Sequence, residues 1–110
     1  MLQSQTAVLE KNTTFSSDFT TEPFETAWAR EGRWFFQVLE SSGCPAITLR
    51  TQVSPDGLNW IDQLDDVEHS AAESGLTTWS AREFGGWMRV RGTFGGPGSV
   101  KVRIYLALKS

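Results

Sequence analysis

The segment near the end of this chain alternates without a break. Val100, Val102, Ile104, Leu106 and Leu108 fall on one side of an extended backbone, and Lys101, Arg103, Tyr105 and Lys109 on the other. A side-chain period of two belongs to a β-strand with one buried face. No stretch holds an apolar period of 3.6 residues over helix length, so the core has to be built from sheets. Weaker forms of the same signal occur upstream. Arg33–Glu40 places Trp34, Phe36 and Val38 on one face and Phe35, Gln37 and Leu39 on the other, which predicts a central strand or one covered on both sides. Ala46–Val53 sets Ile47, Leu49, Thr51 and Val53 against Thr48, Arg50 and Gln52, and Trp87–Phe94 sets Met88 and Val90 against Arg89 and Arg91. Shorter strands are expected at Thr6–Glu10, near Gln63–Val67 and at Leu76–Ser80. About eight short strands with turn signals between them predict an all-β, antiparallel, jelly-roll-like β-sandwich.

Two turns carry most of the topological expectation. In Ser54-Pro55-Asp56-Gly57, Pro presets φ, Asp can bond back to its own backbone, and Gly accepts positive φ. Ala46–Ile61 therefore reads as a hairpin. Gly95-Gly96-Pro97-Gly98 reads as a second reverse turn that would pair the last two strands. Such a C-terminal hairpin would align Arg89 and Arg91 with Lys101 and Arg103, and Tyr105 would continue the stripe. Such a stripe reads first as a solvated face; the alternative is an anionic partner, either carboxylates of a neighbouring subunit or the chain's own acidic run Asp62–Glu68.

The segment Ser54-Pro55-Asp56-Gly57-Leu58-Asn59-Trp60 resembles the S-x-D-G-x-x-W hairpin of small β-sandwich domains. That hairpin occurs in discoidin-like and carbohydrate-binding modules and in short phage virion proteins. Trp87-Met88-Arg89-Val90-Arg91 and the closing strand extend the likeness from Arg33 to the C-terminus. The resemblance implies a scaffold role for Ser54, Asp56, Gly57 and Trp60. It also implies a phage capsid decoration (cement) protein or other virion structural protein, made in the host cytoplasm and carried on the virion.

At 110 residues the chain is expected to be one domain. Residues 1–22 are polar and read as an extended arm, with 23–110 as the sandwich. Five Trp and seven Phe are a heavy aromatic load for this size, so some rings are expected at an interface. Phe15 and Phe19 on the arm are candidates to dock on a neighbouring subunit. Of Trp28, Trp60, Trp79 and Trp87, the pair Trp79 and Trp87 flank the loop Ser80–Gly86 and are the candidates for a sugar-stacking or interface surface.

A net charge of −3 argues against nucleic acid. The longest apolar run is far short of the ~20 residues needed to cross a bilayer, and the start reads as lacking a secretory signal. His69 is the sole histidine and has no nucleophile elbow beside it, so it reads as a solvated loop residue. Cys44 is the sole cysteine and can form no disulfide within the chain. Asp56, Asp62, Asp65, Asp66 and Glu68 fit no EF-hand spacing, and the glycines lack a following GK[ST]. No catalytic residue, cofactor or metal is expected. The expected function is non-enzymatic assembly: a homo-oligomer, a trimer by this reading, attached to a larger structure such as a major capsid protein. A carbohydrate-binding module is the alternative.

Overall fold

The computed structural model describes residues 3–43, 45–63, 68–72 and 74–110. Cys44, Asp65, Asp66 and most of the strand expected near Gln63–Val67 lie outside the described residues. Ten β segments follow in chain order: β1 (Ser4–Phe15), β2 (Phe19–Thr20), β3 (Phe24–Glu25), β4 (Glu31–Gly43), β5 (Ile47–Ser54), β6 (Ile61–Asp62), β7 (His69–Ser70), β8 (Gly75–Arg82), β9 (Trp87–Phe94) and β10 (Gly98–Lys109). They form two antiparallel sheets. One has the order β1-β10-β4-β8; in the other β9 and β5 are central, with β2 and β3 on the β9 side and β6 and β7 on the β5 side. Counting each pair of two-residue segments as one position gives eight positions in the interleaved order of a jelly roll.

The core lies between the sheets. From the first come Trp34, Phe36 and Val38 of β4 and the full set Val100, Val102, Ile104, Leu106 and Leu108 of β10. Ile47 and Leu49 of β5 and Met88 and Val90 of β9 come from the second. These are the residues that alternation places on one face of each strand. Trp34 and Phe36 have no exposed surface, and truncating either to alanine is the kind of change that costs about 3–5 kcal/mol.

The amino-terminal stretch expected as an arm is instead part of the sandwich. β1 pairs with β10 from Ser4↔Lys109 to Phe15↔Val100, with register breaks between Val8 and Glu10 and between Glu10 and Thr13. The chain then crosses to the second sheet, where Phe19 pairs opposite Gly92 and is 8% exposed. Phe15 stacks on Phe19 at 3.9 Å between centroids, and Phe19 stacks on Phe36 at 6.2 Å. Both rings therefore pack within their own domain. Gly92 makes the seat for Phe19, since a Cβ there would collide with the ring.

The C-terminal hairpin is also corrected. β9 pairs with β5 (Ile47↔Phe94 to Ser54↔Trp87) and β10 pairs with β1 and β4, so the last two long strands lie in different sheets. Residues 95–97 form an arch rather than a hairpin turn, pinned by the Gly95 and Gly96 N–H groups donating to the Pro45 carbonyl at 3.0 and 3.2 Å. Both arches and hairpin turns use Gly and Pro, so composition alone does not separate them. Among the described residues, β5–β6 is the one pairing between consecutive segments, joining Gln52↔Asp62 and Val53↔Ile61.

Candidate binding surfaces

The split between β9 and β10 divides the expected basic stripe. Arg89 and Arg91 lie on the outer face of the second sheet, whereas Lys101, Arg103 and Tyr105 lie on the outer face of the first. The molecule thus has two candidate faces, back to back.

The outer face of the first sheet is unusually apolar along one row. Register places Val8 opposite Tyr105, Tyr105 opposite Phe35, and Phe35 opposite Thr78. Phe35 and Tyr105 are half-buried, while Val8 is 52% and Leu76 58% exposed. Polar side chains frame the row: Arg33 Nη1 donates to Thr78 Oγ1 at 3.2 Å, and Arg103 Nη2 donates to Asn12 Oδ1 at 2.9 Å. Beside it lies a groove of about 350 Å³ with Ala107 among its lining residues and Arg33, Phe35, Ser80, Arg82 and Lys109 around it. Lys101 is half-buried and sits between Thr14 and Glu40. Phe35 and Val8 were not among the interface candidates. The signal that points to Phe35 was present in the sequence, as an apolar residue on the second face of a two-faced strand.

The outer face of the second sheet is polar and networked. The Arg89 guanidinium lies 4.3 Å from the Trp60 ring centroid and donates from Nε to Gln52 Oε1 at 2.8 Å. Gln52 Nε2 donates in turn to Asp62 Oδ1 at 3.0 Å. Arg50 pairs with Asp62 at 3.6 Å and with Glu68 at 2.8 Å, so the described members of the acidic run meet an arginine of their own chain. Arg91 lies directly opposite Arg50 and is exposed. Partial burial, and then the charge of Arg91, push the Arg89 pKa down.

The tryptophans expected to form a sugar platform do not present free rings. Trp79 is 5% exposed because its strand turns Thr77, Trp79 and Ala81 inward. Its indole N–H donates to Thr51 Oγ1 of the facing sheet at 2.9 Å, and its ring stacks on His69 at 4.7 Å. His69 is accordingly a half-buried strand residue, not a solvated loop residue. Trp87 is half-buried against the β5–β6 turn, where a Cβ on Gly57 (φ +78°) would approach its ring to 3.3 Å. In that turn Ser54 Oγ accepts from the Asp56 and Gly57 N–H groups, and Asp56 accepts from the Leu58 and Asn59 N–H groups, both at 2.9 Å.

No family model matches the chain, and no curated protein does. Solved structures share its fold. PBSX exported protein XepA superposes with a TM-score of 0.70 at 12% identity over 94% of this chain, which spans only 36% of the XepA chain. SPBc2 prophage-derived protein YomS gives 0.59 at 12% identity, over 100% of this chain and 96% of that one. A chain from Bacillus endospore appendages, a family of disulfide-linked pili, gives 0.58 at 7% identity, over 97% and 87%. The chain is thus an antiparallel β-sandwich of a form also found in a prophage-derived protein and in endospore appendage pili.

Proposed function

We propose that this chain is a non-enzymatic structural protein of a phage or prophage particle. It joins copies of itself, and a larger protein shell, through the outer face of the four-stranded sheet. The observation that carries this reading is the row Val8, Tyr105 and Phe35 on a surface that solvent would keep polar in a monomer. Aromatic residues inside a polar frame are the usual composition of an interface centre. The size also suits it. Strands of 12, 12, 13 and 8 residues, ~4.8 Å apart, offer roughly 700 Å² per partner, close to the ~800 Å² of a standard interface. The fold shared with YomS, named as prophage-derived, supports the setting in a particle.

The test is the double substitution Phe35→Glu with Tyr105→Glu, made on the solvent side of the sheet. Size-exclusion elution is expected to move to the monomer position, with the far-ultraviolet circular dichroism unchanged. A folded variant that assembles as the wild type does would place the contact elsewhere and overturn the reading.

A further inference from the structure

The polar face does not depend on the assembly reading, because it lies on the other sheet. Between its strands runs a cleft of about 220 Å³ lined by Thr48, Arg50, Asp62, Glu68, Arg91 and Thr93. Three guanidiniums, of Arg50, Arg89 and Arg91, stand over two neighbouring strands, and the described carboxylates facing them are Asp62 and Glu68. Both carboxylates are held by Arg50, while Arg89 is held by a neutral amide and an aromatic ring. Among the described residues Arg91 has no ion-pair partner, and it stands on the wall of this cleft in a chain whose net charge is −3.

The two walls differ in what they recognise. Arg91 offers a planar donor fork suited to a carboxylate. Asp62 and Glu68 offer only acceptor oxygens, suited to hydroxyl donors, and would repel a plain anion. Thr48 and Thr93 lie opposite one another and add hydroxyls that donate or accept. A ligand that satisfies both walls carries a carboxylate at one end and several hydroxyls at the other, and the cleft of about 220 Å³ has the size of a single sugar residue. Inorganic phosphate or an acidic peptide would use the Arg91 wall alone.

We infer that the cleft between Arg91 and the Asp62–Glu68 pair binds a carboxylated sugar residue of an acidic polysaccharide. The carboxylate sits on Arg91 and the ring hydroxyls on Asp62, Glu68 and the two threonines. The networks through Arg50, Gln52 and Arg89 hold the walls in place before the ligand arrives, which lowers the ordering cost of binding.

The test is calorimetric titration of the intact protein with oligosaccharides of galacturonate, glucuronate and mannuronate. Neutral galactose oligomers, inorganic phosphate and a polyglutamate peptide are titrated alongside. Saturable binding of at least one uronic-acid oligomer is expected, weakened about tenfold or more by Arg91→Gln, the loss of one charge-assisted pair. Lys11→Gln makes the same charge change on an exposed site of the other sheet and is expected to leave affinity unchanged. The neutral oligomers should not bind. Three results would overturn the proposal: no uronic-acid oligomer binding, binding indifferent to Arg91→Gln, or phosphate or polyglutamate binding as tightly as the sugars.

Discussion

Within the β5–β6 turn, Asp56 replaces backbone partners that the chain cannot supply. Its carboxylate accepts from the Asn59 and Leu58 N–H groups and from the Asn59 side-chain amide at 2.8 Å. These bonds, that to Asn59 N–H foremost, hold its pKa well below the ordinary 3.8. A carboxylate whose folded pKa is depressed adds stability above its unfolded pKa and loses it as the pH falls through the folded one. Asp56→Ala is therefore expected to lower Tm by a few degrees at pH 7. That gap should shrink as the pH is taken from about 4 downward, because the wild type alone loses the contribution there. Thermal melts of both proteins from pH 7 to pH 2 check this, and a gap independent of pH would show that the charge is not what holds the turn. This residue could be read in the sequence because its partners lie within three positions of it. The burial of Trp79 could not. Leu76–Ser80 lacks a clean apolar alternation, so which of its faces turns inward depends on Thr51 and His69, which supply the indole's acceptor and its ring contact. Phe19 is a similar case. One ring in a polar stretch gains its seat from a missing side chain at Gly92, far along the chain.

At the scale of elements, the strands with one buried face announced themselves, and the pairings between them did not. β5, β9 and β10 each alternate strictly, and the structure turns the expected apolar side of each toward the core. β1 was largely hidden in the sequence for two physical reasons. It is an edge strand whose residues are mostly exposed or half-exposed, and two breaks of register within it disrupt the period of two. Its integration leads to a definite expectation. Removing residues 1–15 strips the partner from β10 between Val100 and Lys109 and takes Phe15 away from Phe19. Tm is expected to fall by roughly 10 °C or more, or the truncated protein to aggregate through the bared β10 edge. Differential scanning calorimetry decides it; an unchanged Tm would mean that the strand is a dispensable arm. The arch at 95–97 was illegible for another reason. The same Gly and Pro chemistry serves a hairpin and a crossing, and the choice rests on Pro45 accepting from Gly95 and Gly96 across the end of the sandwich.

For the molecule as a whole, the jelly-roll order has one consequence that governs both candidate sites. Because β9 and β10 belong to different sheets, the cationic residues of one strand look away from those of the other. The chain is left with an aromatic face on the four-stranded sheet and a polar cleft on the opposite sheet. A protein that is held by the first can present the second outward. Assembly through the aromatic face is the central claim, and the mass of the wild-type protein tests it most directly. Size-exclusion chromatography with multi-angle light scattering, over a hundredfold range of loading concentration, is predicted to give a discrete multiple of the 12.2 kDa chain. A mass of 12.2 kDa at every concentration would contradict it.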